Sequence, residues 1–191
     1  MDKIKQIIQS SIDVKLNVLD NQELLNTTLS IIEIIVAALK NNRRIYFCGN
    51  GGSAADAQHL AAELTGRFYI DRNALAAEAL HCNTSYLTAV ANDYGFDEIY
   101  ARMIEGICQE GDILIGLSTS GNSINIIKAF EKANEKKVIT VSFTGKDGGR
   151  LLPLSKYCLN VPSTDTPRIQ ETHILLGHII CQMVEEKYFN S

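Results

Sequence analysis

The chain has 191 residues, 46% of them hydrophobic and 21% charged, with a formal net charge of −4. That length suits one domain able to bury roughly 70% of its unfolded surface. The acidic balance excludes a general duplex nucleic-acid binder, which needs a basic excess to displace counterions.

Residues 3–19 carry Ile4, Ile7, Ile8, Ile12, Leu16 and Leu19 at helical spacing. Asp20 stands three residues before Glu23, a capping-box pattern, and Leu24, Leu25, Leu29, Ile32, Ile35, Val36 and Leu39 continue the helical period behind it. Two helices are therefore expected before any strand. From Arg43 the pattern changes. Strands are predicted at Ile45–Cys48, Leu75–Leu80, Ile113–Leu117, Val138–Phe143 and Tyr157–Val161. Helices are predicted through Leu64, from about Ser85, over Ile124–Lys136 and over Arg168–Tyr188. Strand alternating with helix implies right-handed crossovers and an α/β three-layer sandwich around a parallel sheet. No linker divides the chain, so residues 1–191 read as a single domain with residues 1–40 as a helical extension.

The five cysteines, Cys48, Cys82, Cys108, Cys158 and Cys181, are odd in number and never spaced C-x-x-C. They read as small hydrophobes in a reducing compartment. Met1–Gln9 has no signal-peptide pattern, and the apolar run Ile31–Leu39 is too short to span a bilayer. A cytoplasmic protein with no membrane or nucleic-acid partner is expected.

Two strands run into loops rich in small polar residues. Ser118-Thr119-Ser120-Gly121-Asn122-Ser123 follows one, and Gly49-Asn50-Gly51-Gly52-Ser53 the other. At a strand-to-helix junction, free amides carry partial positive charge, so an acidic protein can hold a phosphate there without a lysine. Either loop alone reads as a plain turn, with Ser123 an ordinary N-cap. Two together favour an anionic ligand. The glycine spacing is a weak match to a dinucleotide fingerprint, with only Asp71 in the ribose position, and no P-loop is present. A small phosphorylated metabolite is left.

His59 and Glu63 are four apart on one helical face. The last helix carries Gln170, Glu171, His173 and His178 among Ile169, Ile174, Leu175, Leu176, Ile179 and Ile180. A histidine on so apolar a helix usually belongs to the core. Yet a carboxylate and imidazoles near phosphate loops also suit proton transfer on a sugar carbonyl, and the same set suits zinc.

The runs Cys48–Arg67, Asn92-Asp93-Tyr94-Gly95-Phe96, Leu117–Ser123 and Arg168–His173 together resemble the phosphoheptose isomerases of the sugar-isomerase (SIS) superfamily. The resemblance implies a homotetramer converting sedoheptulose 7-phosphate to glycero-manno-heptose 7-phosphate by a cis-enediol route. That product feeds the heptoses of lipopolysaccharide, capsule or surface glycans. It also implies a phosphate cradle of Ser118, Thr119, Ser120 and Ser123. Sugar contacts would come from Asn50, Gly51, Gly52, Ser53, Asn92, Asp93 and Gln170, with Glu63 and His178 as the acid–base pair. His59, Glu63, Gln170 and His178 would be the ligands of one zinc per subunit. A zinc-bound carboxylate is a weaker base, which leaves either Glu63 or His178 to take the carbon-bound proton. The chain departs from the family pattern at His81-Cys82-Asn83 and at Ala91, which bears on the shape of the sugar pocket.

A non-catalytic SIS-domain binding protein, of the type that associates with the replication initiator, is the alternative. The presence of both Glu63 and His178 favours the enzyme. Gln170 and His178 are eight residues apart, roughly 12 Å of rise on one helix. Either Gln170 therefore precedes the helix, or the site is completed between subunits; the apolar N-terminal helices and the tetramer that the resemblance implies favour the shared site.

Overall fold

The computed structural model describes residues 1–190. Two helices, α1 (Asp2–Leu19) and α2 (Gln22–Lys40), precede β1 (Ile45–Gly49), α3 (Gly52–Thr65) and β2 (Ala77–Ala79). Then follow α4 (Thr84–Tyr94), α5 (Ile99–Ile107), β3 (Ile113–Leu117), α6 (Ile124–Glu135), β4 (Ile139–Thr144), β5 (Tyr157–Asn160) and α7 (Thr166–Phe189). The strands form one sheet in the order β2-β1-β3-β4-β5, and every neighbouring pair is parallel.

Both faces of the sheet are buried, and the strand alternation divides them. Ile45, Phe47, Ile113, Ile115, Leu117, Val141, Phe143 and Leu159 point to the face covered by α2, α3 and α7. Tyr46, Cys48 and Leu114 point to the face covered by α4, α5 and α6. This is the three-layer sandwich that the alternating pattern implied. Of the cysteines, Cys48, Cys108 and Cys181 are buried, Cys158 is half-buried, Cys82 is exposed, and all five are free.

Among the described residues one helix, α2, is long and apolar enough to cross a membrane. Its inner face is instead built into the core through Ile31, Ile32 and Ile35, all fully buried. α1 differs, leaving Ile4, Ile7, Ile8, Ile12, Leu16 and Leu19 exposed.

Some boundaries shift from the sequence reading. Asn21, not Asp20, caps α2: its side chain accepts from the Leu24 amide at 3.1 Å, while Asp20 closes α1. The residue one position earlier ends the preceding helix through its backbone, the Asp20 amide donating to the Leu16 carbonyl at 3.0 Å. The second strand is only Ala77–Ala79, since β2 is a sheet edge that pairs on one side alone. The helix beginning near residue 84 stops at Tyr94, because Gly95 takes a φ of 96°.

The sheet order places the functional region. The chain leaves β1 toward one edge and leaves β3 toward the other, so a crevice opens between their carboxyl ends. Gly49 of β1 is in register with Leu117 of β3. The two glycine–serine loops therefore emerge side by side.

Candidate active site

After β1, Gly51 serves as the N-cap of α3 at a φ of 54°, in the left-handed region that glycine enters at little cost. This turn brings the free amides of α3's first turn to the crevice. After β3, Ser123 occupies the N-cap position of α6 but makes no capping bond. Its Oγ lies 3.1 Å from the Ser118 Oγ, so both hydroxyls gather at the start of the helix. Asn50 and the buried Asn125 stitch the two loops together by reciprocal amide bonds of 2.8 Å each.

A third loop, Gly145–Gly149, backs the cradle. The Gly145 amide donates to the Thr119 carbonyl and the Leu151 amide to the Gly121 carbonyl, each at 3.0 Å. A side chain at Gly149 would sit 2.6 Å from the Ser120 carbonyl oxygen, so the two loops can meet only with glycine there. Between them and the start of α7 lies a polar cavity of about 200 Å³, lined by Thr119, Ser120, Lys146, Ser163 and Thr166.

Farther along α3, the helix packs closely against α7. A Cβ at Gly177 would lie 2.6 Å from Leu60 Cδ1, so this glycine sets the helix spacing beside His178. Across the contact, His59 Nε2 is 2.9 Å from His178 Nε2 and 3.3 Å from Glu63 Oε1. One donor atom from each of the three residues falls within 4.8 Å of the others. Tetrahedral zinc with nitrogen and oxygen bonds of about 2.0–2.2 Å separates its ligands by roughly 3.4 Å, so this donor set fits such an ion. Phe68 adds a ring centred 5.7 Å from that of His178.

Asp56 lies one turn before His59 and accepts a hydrogen bond from Gln170. Its Oδ2 is buried with no partner among the described residues. Burial raises the Asp56 carboxyl pKa, against the opposing pull of Gln170, His59 and His178.

The structure thus brings His59, Glu63 and His178 of one chain together, so that trio needs no second subunit. Gln170 does not precede the helix; it is part of α7, which begins at Thr166. Its amide lies where a side chain on Gly52 would go, toward Asp56. Ser53 is buried in the first turn of α3. Asn92 and Asp93 lie on the exposed end of α4, with the Asn92 amide donating to the Asp93 carboxylate at 2.8 Å rather than to either loop. The two α7 histidines part company. His173 is fully buried and bonds the Thr144 carbonyl at 3.1 Å, the core role expected of a histidine on an apolar helix.

Sequence reasoning missed Asn125, Asp56, Phe68 and the backing loop. Asp56 had a signal in its helical spacing from His59. The loop had another, since it follows the carboxyl end of a strand.

Helix N-termini and hydroxyls gathered at a sheet's switch point, with a carboxylate and two imidazoles clustered on the helices α3 and α7, define an α/β protein equipped to hold a small anion and move protons on it. Comparison with known proteins sharpens this. Residues 16–145 match the model of the SIS domain. The chain is 50% identical over 190 residues to the phosphoheptose isomerase of Aneurinibacillus thermoaerophilus, covering 100% of this chain and 96% of that one. It is 48% identical to that of Sulfurimonas denitrificans, covering 97% and 95%. The solved structure of phosphoheptose isomerase GmhA from Neisseria gonorrhoeae superposes with a TM-score of 0.91 at 41% identity, covering 97% of this chain and 98% of that one. The Francisella tularensis phosphoheptose isomerase gives 0.93 at 34%, covering 97% of each chain. This chain belongs to the SIS-domain family and, within it, to the phosphoheptose isomerases.

Proposed function

We propose that the protein interconverts sedoheptulose 7-phosphate and D-glycero-D-manno-heptose 7-phosphate. The observation that carries this reading is the meeting of Glu63 and His178 in one cluster, Glu63 lying on the helix that starts from the first glycine–serine loop.

Ser118, Thr119, Ser120 and Ser123 would hold the phosphate with the first amides of α6. Asn50, Gly51, Gly52, Ser53 and Gln170 would line the path of the sugar. Glu63 then takes a proton from C1 of the open-chain ketose, leaving an enediolate with its charge on the C2 oxygen. His178 moves a proton from the oxygen on C1 to the oxygen on C2, and the proton held by Glu63 returns to C2. Nothing is oxidised or reduced overall. His59, Glu63 and His178 would hold a zinc ion, whereas Gln170, two turns before His178 on α7 with its amide toward Asp56, would be left to orient the sugar. Such an ion, when bound, polarises a carbonyl and stabilises an enediolate.

The reading extends to a cytoplasmic homotetramer in which residues 1–191 act as one domain. The free cysteines suit a reducing compartment, and the exposed isoleucines of α1 suit subunit contacts. Asn92 and Asp93 would supply sugar contacts to a neighbouring subunit, and the product would feed heptose biosynthesis for surface glycans.

Incubation with sedoheptulose 7-phosphate in D2O, followed by NMR, tests the proposal. The expected result is an aldose product, with deuterium at C2 to the extent that the proton on Glu63 exchanges with solvent before its return. No turnover by zinc-replete protein would favour a non-catalytic binding module.

A further inference from the structure

The connection from α3 to β2 contains no regular structure, yet it is wrapped around a single carboxylate. Glu185 Oε1 accepts from the amides of Tyr69 at 2.8 Å and Ile70 at 3.0 Å. Its Oε2 accepts from the Phe68 amide at 3.0 Å and from Arg72 Nε at 2.7 Å. The Glu185 and Arg72 side chains are each only 2% exposed. Burial pushes the Glu185 carboxyl pKa up, but the three amides and Arg72 outweigh it and hold it below its ordinary value.

Arg72 turns its remaining donors to the end of α3. Nη1 reaches the carbonyls of Leu64 at 2.8 Å and Gly66 at 3.0 Å, and Nη2 that of Glu63 at 2.9 Å. The guanidinium also lies over the Phe189 ring at 5.6 Å.

A buried ion pair is poor grounds for a gain in stability, because desolvation offsets much of its attraction. Its geometric effect is clearer. Arg72 grips the main chain of Glu63 itself. Glu185 grips Arg72, and it lies two turns beyond His178 on α7. The same carboxylate holds the amide of Phe68, whose ring rests on His178. Both members of the acid–base pair are therefore located by one side chain that touches neither.

We propose that Glu185 is a positioning residue: through Arg72 it fixes the Glu63 turn of α3 against α7, and through the Phe68 amide it seats an aromatic ring on His178. The kinetic part of its test rests on the isomerase reading, but the spectroscopic part does not.

Glu185→Gln keeps the shape and removes the charge that holds Arg72. Misplacement near 1 Å costs up to about 100-fold in rate, so kcat should fall roughly 10- to 100-fold. The Kd for sedoheptulose 7-phosphate should stay within about threefold, since the cradle is untouched. The His178 ring protons should move in the NMR spectrum as the Phe68 ring current is lost. Asp112→Asn provides the control. Asp112 is buried at the amino end of β3, accepting from the amides of Arg44 at 2.9 Å and Gln109 at 2.8 Å. That variant should lose stability while keeping the parent's kcat and His178 signals.

Phe68→Leu leaves the ion pair intact and decides the matter if Glu185→Gln fails to fold; it should also shift the His178 signals and lower kcat. A folded Glu185→Gln, or a Phe68→Leu, with unmoved His178 signals overturns the proposal. An inactive parent would refute the isomerase reading instead, and the His178 signals would still report on positioning.

Discussion

His59 and His178 face each other across the contact between α3 and α7, their Nε2 atoms 2.9 Å apart and their rings at 68°. Glu63, one turn along α3 from His59, completes the trio. Two imidazoles so close present adjacent lone pairs to a cation when both are neutral. Zinc should therefore bind at one ion per chain. Loss of an outer-shell partner costs about 10–100-fold in metal affinity, so His59→Asn or His178→Asn, each removing a ligand, should cost at least about 100-fold. Chelator competition measures this, and unchanged affinity would remove the trio from the metal site.

Glu63→Gln preserves shape and removes the base. Positioned proton transfer contributes about 10²–10⁴-fold, so turnover should fall by that order while binding of the phosphorylated ketose survives. The placing of Glu63 and His178 in one chain adds a second expectation. Mixing Glu63→Gln protein with His178→Asn protein under subunit exchange should restore no activity, because every site keeps a lesion. Recovery of activity, with exchange confirmed by mass, would mean that the two residues of a working site come from different subunits.

The cradle has its own test. Ser120 Oγ accepts from the Asn122 amide at 3.1 Å, and Ser123 Oγ pairs with Ser118, so neither hydroxyl is part of the core. Ser120→Ala combined with Ser123→Ala should leave thermal stability within about 1 kcal/mol of the parent. Hydrogen bonds to a charged group are worth roughly 1.5–3 kcal/mol each, so substrate affinity should drop about 100-fold or more. Calorimetry that found parental affinity would show the phosphate to be held elsewhere.

His173 predicts a pH dependence of stability. Burial lowers its pKa to about 4, against the opposing pull of the Thr144 carbonyl, so it folds as the neutral ring. The unfolded chain has an ordinary histidine that takes up a proton near pH 6.5. Between these values the unfolded state binds more protons, so stability rises with pH. The contribution is complete above pH 6.5 and is lost as pH falls toward 4, at most about 3 kcal/mol. Melting curves of the parent and of His173→Gln should converge over that interval. Parallel curves would assign the acid sensitivity to other groups.

The sequence by itself determined the α/β alternation, because strands buried on both faces are short apolar runs and amphipathic helices keep a 3.6-residue period. It also placed Gly49–Ser53 and Ser118–Ser123 at strand ends, and the runs Cys48–Arg67, Asn92–Phe96, Leu117–Ser123 and Arg168–His173 pointed to the family. What it left undecided were matters of distance. His173 and His178 sit five residues apart on one apolar helix, and nothing local says which turns into the core. The sheet decides: His173 meets the Thr144 carbonyl and the Phe143 ring of β4, while His178 falls at the half-exposed contact between α3 and α7. Asn50 and Asn125 are 75 residues apart, and Arg72 and Glu185 are 113 apart. Neither pairing leaves a periodic trace, since each exists only because the sheet order and the helix contacts bring its partners within hydrogen-bonding range.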